Sequence, residues 1–147
     1  MSSPRCALTE ASTLVLARLW ARAIESEPGI VEDRQAQHLY NAACAAALAS
    51  TGQGKDDPPP DEAERARLRT QARDWLDAEL TAWATVAESQ PKDRPLVVQT
   101  LRHWQADADL AGVRDPAALE AFPEAERAAW TALWERAGRL LKDCSSE

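Results

Sequence analysis

Gly52-Gln53-Gly54-Lys55 is the first stretch of this chain whose residue types could do chemistry. A glycine-rich loop ending in lysine can cradle phosphates, but a phosphate loop also needs a glycine five residues before Gly54 and a Ser or Thr after the lysine. Those positions hold Ala49 and Asp56. An aspartate there repels phosphate, and no strand leads into the loop, so the reading is a solvated connection between helices. His103 and Asp107 stand four apart, a spacing that puts two metal ligands on one helical face. Two ligands are too few for a structural metal site. The expectation is a histidine packed beside Trp104 and an aspartate in solvent. His38 has no nucleophile close by in sequence, and nothing asks for its pairing with Cys44. No catalytic residue, metal or cofactor is expected.

Two further patterns bear on binding. Arg65, Arg67, Arg69 and Arg73 alternate with Glu62, Glu64 and Asp74. Such alternation is ordinarily a solvated helix face. Its functional alternative is a docking surface for an acidic peptide, with Arg69 and Arg73 as contacts. Six tryptophans accompany a single Tyr and a single Phe. Trp75, Trp83, Trp130 and Trp134 all fall on apolar stripes, so they are expected to fill space between alanine-rich helices.

The elements that must position these residues are helices. The 147 residues are 45% hydrophobic and 28% charged, a globular balance. Ala, Leu, Glu and Arg dominate while Val and Ile are scarce, which favours helix over pleated sheet. Helix one is expected over about Glu10 to Glu27, with Leu16, Leu19, Trp20, Ala23 and Ile24 as its buried stripe, stopped by Pro28-Gly29. Helix two spans about Asp33 to Ser50, with Leu39, Ala42, Ala43, Ala46 and Ala47 as a small-residue face. After a loop with three prolines, Asp61 caps helix three, with Glu64 at capping-box spacing. That helix runs to about Glu88 on Leu68, Ala72, Trp75, Leu76, Leu80, Trp83 and Ala87. Gln90 to Pro95 turns into helix four, about Leu96 to Ala106, with Val97, Leu101 and Trp104 inward. Asp115-Pro116 reads as cap plus first helical residue of a short helix to Ala121. Phe122-Pro123 breaks the chain before helix six, which runs to about Lys142 on Trp130, Leu133, Trp134, Ala137, Leu140 and Leu141. No segment shows the alternation of a strand.

Charge and cysteine usage narrow the partners. The formal net charge is −7, which repels phosphate backbones and argues against nucleic acid. Three widely spaced cysteines without a Cys-x-x-Cys pair suggest neither a disulfide framework nor a zinc knuckle. Reduced thiols suit a cytoplasmic location. No apolar run is long enough for membrane insertion.

Leu19 to Pro28 resembles the second helix of a tetratricopeptide repeat, which places an aromatic, an alanine three residues on and a proline five residues after that. Trp20, Ala23 and Pro28 match that spacing. Leu39 to Ala45 resembles the first helix of the next repeat, with Asn41 two residues before the small Ala43. Ala72 and Leu76 then fit its second helix. The strings YNAACAAALASTGQGKD, ERARLRTQARDWLDAELTAW and LRHWQADADLAGVRDPAALEAFPEAERAAW resemble the C-terminal region of large bacterial serine/threonine protein kinases and related tetratricopeptide proteins.

The resemblance implies an all-α, tetratricopeptide-like array of about five to six helices within a single domain, 1–147. Residues 1–28 would supply the second helix of a truncated repeat. Residues 33–89 would form a repeat with an enlarged loop, 51–68, and 92–143 the C-terminal capping helices. Tyr40, Asn41 and Cys44 would line the peptide groove. Kinase chemistry is not implied here: the chain has no Val-Ala-Ile-Lys, His-Arg-Asp or Asp-Phe-Gly. The function implied is a non-catalytic protein-interaction or array-capping module. The alternatives are a regulatory domain acting on a linked or partner kinase, and an enzyme of unrecognised kind.

Overall fold

A computed structural model describes residues 13–26, 38–50 and 61–145, and every element within them is helical. They are α1 (Thr13–Ser26), α2 (His38–Ser50), α3 (Glu62–Ser89), α4 (Arg94–Ala106), α5 (Ala111–Arg114), α6 (Pro116–Leu119) and α7 (Glu124–Ser145). Short 3₁₀ turns at Pro91–Asp93 and Ala108–Leu110 flank α4. No strand occurs among the described residues. The chain divides into two compact units, 1–76 and 77–147, with the division inside α3.

In the first unit α1 packs on α2. The alanine run of α2 explains the contact, because side chains no larger than a methyl let two helix backbones approach closely. Ala42, Ala43, Ala45, Ala46 and Ala49 are fully buried. The helix is therefore covered on more than the one face expected from Leu39, Ala42, Ala43, Ala46 and Ala47. Of the stripe expected on α1, the side chains of Leu16 and Ile24 lie outside the described residues, and Leu19 departs from it. Ala17 is 3% exposed while Leu19 is 54% exposed. Residues two apart lie about 200° apart around a helix, so burying Ala17 turns Leu19 outward. The small residue wins the close approach, and Trp20 and Ala23 are half-buried.

α3 starts where its cap requires. Asp61 Oδ1 accepts from the Glu64 backbone N–H at 2.8 Å, satisfying one of the orphan donors of the first turn. The Glu64 carboxylate does not close the reciprocal half of a capping box but accepts from Arg18 Nη2 at 3.1 Å. Neither Gly nor Pro interrupts the 28 residues that follow. Leu68, Ala72, Trp75 and Leu76 are buried in the first unit, and Leu80, Trp83 and Ala87 in the second. Ser89 closes the helix by donating to Thr85 O at 2.7 Å, and Pro91 opens the next turn.

In the second unit α4 packs on α7. Val97, Leu101 and Trp104 are fully buried, as the sequence pattern requires, together with Thr100. On α7, Trp130, Leu133 and Ala137 are buried, whereas Leu140 and Leu141 are half-buried. α4 begins at Arg94, inside the expected turn, and Arg94 Nε donates back to Ala87 O at 3.0 Å. The bond satisfies a carbonyl in the last turn of α3 with a cation, the sign that a helix C-terminus favours. Asp115 is the N-cap of α6 with Pro116 first in the helix, as expected, but its carboxylate faces Arg114 Nε at 3.3 Å instead of capping.

Candidate functional site

The residues expected to line a peptide groove are placed as follows. Tyr40 and Cys44 are buried on α2, at 4% and 3% exposure, and Asn41 is half-buried. On α3, Arg67 is exposed, Arg65 and Arg73 are half-buried, and Arg69 is buried with Nη2 3.5 Å from Glu62 Oε2. The basic run is therefore not one solvated face: its alternation puts Arg67 outward and Arg69 inward. A recess of about 170 Å³ in the first unit, lined by Ala17, Arg67 and Gln71 among others, also holds Arg18 and Glu64, which pair with each other. The loop Gly52 to Lys55, Cys6 and the side chain of His38 lie outside the described residues.

His103 and Asp107 are reversed from expectation. His103 is half exposed, its Nε2 3.2 Å from Asp107 Oδ2, and the Asp107 side chain is 3% exposed. The aspartate is buried because the backbone uses it. It leaves α4 in an extended conformation, and its Oδ1 accepts from the Asp109 N–H at 3.0 Å as the cap of the following 3₁₀ turn. Arg114 Nη1 completes the corner, donating to Trp104 O at 3.0 Å and Asp107 O at 2.7 Å. One guanidinium thus serves carbonyls at the end of α4 and at its C-cap, and the Asp107 carbonyl also accepts from the Leu110 N–H at 3.1 Å.

The same corner builds a concave surface. Trp134, expected in the core, is half-buried. Its ring stacks on the fully buried Trp130 with centroids 6.4 Å apart and planes at 17°. Its indole N–H donates to Val113 O at 2.9 Å. An amphipathic ring with a satisfied N–H and a wet edge is the form tryptophan takes at interfaces. It lines a groove of about 440 Å³ with Pro116, Leu119 and Thr131. Arg114, Glu120, Arg127 and Glu135 supply the charge. Arg127, Thr131 and Glu135 recur at four-residue steps, which lays them in one line over about 12 Å of α7.

The charges of the groove differ in their commitments. Arg114 is held by its two carbonyls and by Asp115. Glu120, Arg127 and Glu135 have no side-chain hydrogen bond or ion pair with the described residues. Further along α7, Arg136 pairs with Asp77 and donates to Thr81 Oγ1 at 3.3 Å. The arrangement offers apolar area, an aromatic ring and three uncommitted charges. Trp134 shares a stripe with Trp130, and periodicity alone places both in the core. The signal for the groove was the polar line Arg127, Thr131, Glu135 flanking that stripe, opposite the short Pro116–Leu119 helix. Comparison of this chain with protein-family models, with curated proteins and with solved structures yields no match.

Proposed function

We propose that this chain is a non-catalytic protein-interaction module built from helix pairs, and that its second unit engages a peptide segment of a partner in the groove at Trp134. The observation that carries this reading is the groove itself: a half-buried tryptophan fixed in orientation by Val113 O, beside Leu119 and Pro116, with uncommitted charges around it. Tryptophan in such a setting is the commonest kind of interface anchor. The pairing of α1 with α2 is in keeping with the resemblance to tetratricopeptide repeats, in which successive helices pack side by side. The 28-residue α3 is longer than such a repeat supplies, so the likeness we propose is to a helix pair and not to a regular array.

Selection of random peptides displayed on phage against the whole chain tests the reading, followed by titration of the enriched peptide into isotopically labelled protein. Chemical-shift changes are expected to centre on residues 114–135. Failure to enrich any peptide, or changes centred elsewhere, would overturn it.

A further inference from the structure

The uncommitted charges say which peptide. We infer that the groove at Trp134 takes a cationic segment, with an Arg or Lys side chain beside Glu120 and Glu135 and an apolar neighbour against Trp134, Leu119 and Pro116. The inference rests on the interaction reading above and adds the chemistry of the partner.

Three observations carry it. First, the two acidic side chains of the groove, Glu120 and Glu135, are both exposed and both uncommitted. Of its two cations only Arg127 is uncommitted. Arg114 already faces Asp115 Oδ1 at 3.3 Å through Nε and donates to two carbonyls through Nη1, so two of its three nitrogens are engaged before any ligand arrives. Second, Trp134 is half-buried and stacked on Trp130, and its indole N–H is spent on Val113 O. It therefore presents no donor of its own to an incoming carboxylate. Third, the chain carries a net charge of −7. That field draws a cationic segment in and holds an anionic one off, most strongly at low ionic strength. Arg127 at one end of the line along α7 then sets direction, because a basic residue is better placed towards Glu135 than over Arg127.

Fluorescence anisotropy with three synthetic peptides of equal length decides it. One carries arginines flanking a central leucine in a serine background. The second replaces the arginines with glutamates. The third keeps the arginines and replaces the leucine with serine. Saturable binding is expected for the first, none for the second, and weaker binding for the third, since charge alone makes a salt-sensitive and shallow contact. Glu120→Gln and Glu135→Gln should each weaken the first peptide by about two- to fivefold, the scale of an exposed ion pair. Trp134→Ala should weaken it by at least about tenfold.

Because Trp134→Ala also disturbs packing, the double variant Glu120→Lys and Glu135→Lys provides the sharper result. Both side chains are at the surface, and the double variant should reverse the preference towards the acidic peptide. Equal or tighter binding of the acidic peptide to the unaltered chain would overturn the inference, as would basic-peptide affinity that ignores the double reversal, or no binding of any of the three. If the phage selection enriches acidic peptides that still shift residues 114–135, the interaction reading stands and the cationic partner falls.

Discussion

Arg114→Ala should be among the most costly substitutions of a charged residue in the second unit, and the cost should come from helix ends, not from an ion pair. The guanidinium Nη1 serves Trp104 O at 3.0 Å and Asp107 O at 2.7 Å. Removing it leaves both carbonyls in a part-buried corner without that donor. A hydrogen bond from a charged group contributes about 1.5–3 kcal/mol, and two bonds from one nitrogen are not independent. Loss of a cation near a helix C-terminus adds about 0.3–1 kcal/mol. The total is about 2–4 kcal/mol. The contact with Asp115 adds little, because that carboxylate is 54% exposed and water screens it. Urea denaturation followed by circular dichroism at 222 nm measures the effect. With a slope of about 2 kcal/mol per molar urea, the midpoint should fall by about 1–2 M. Asp115→Asn is the control and should cost no more than about 1 kcal/mol. Arg114→Lys should recover less than half of the loss, since one ammonium on a shorter, flexible stem cannot reach both carbonyls and Asp115 as Nη1 and Nε do together. An Arg114→Ala midpoint close to that of the unaltered chain, or an Asp115→Asn loss as large as that of Arg114→Ala, would refute the reasoning.

The two stacked tryptophans should separate in the same assay. Trp130→Ala empties a fully buried site and should cost about 3–5 kcal/mol. Trp134→Phe keeps the ring stacked but removes the donor to Val113 O, and should cost about 1 kcal/mol. Equal costs would show that Trp134 is core. Asp61→Ala should cost about 1 kcal/mol through loss of the α3 cap, with Asp61→Asn close to neutral because its amide oxygen still accepts from Glu64 N–H. Isothermal titration with Mg-ATP should show no saturable heat. Micromolar binding lost on Lys55→Ala would mean that Gly52 to Lys55 does cradle phosphate after all.

Helix positions were legible where local chemistry decides them. Asp61 announces α3 because a short acidic side chain can reach a free N–H three residues on, whatever lies around it. Asp115-Pro116 announces α6 because proline fixes its own φ and needs no donor. Val97, Leu101 and Trp104 were legible as core because they recur at four- and three-residue spacing along α4, which lays them on one face. α1 has apolar residues on two sides, and the choice between Ala17 and Leu19 belongs to its partner. The alanines of α2 favour the smaller side chain, and that preference is a property of the pair.

The groove was illegible for a related reason. Periodicity records which residues avoid water and says nothing of how backbone carbonyls are satisfied. Asp107 is buried as a cap, Arg114 is folded back over the end of α4, and Trp134 is turned by a carbonyl twenty-one residues earlier in the chain. Each is a polar side chain, or the polar end of one, recruited to close a corner where the chain leaves one helix and starts three others in quick succession. Four of the seven helices of the described residues, α4 to α7, begin within residues 94–124, so this stretch has the most orphan helix ends to satisfy. Committing Arg114 and the Trp134 N–H to that task removes a cation and a donor from the surface. What remains at the groove is a half-buried aromatic ring with Glu120 and Glu135 beside it. The selectivity proposed for the groove is thus a by-product of helix capping, and Arg114→Ala ties the two together. By removing the guanidinium from the carbonyls of Trp104 and Asp107 and from Asp115, it should loosen the corner that carries Pro116 and Leu119. It should therefore weaken the basic peptide as well, although it removes a positive charge from the groove. A simple charge count predicts the opposite sign, and the anisotropy titration of that one variant distinguishes them.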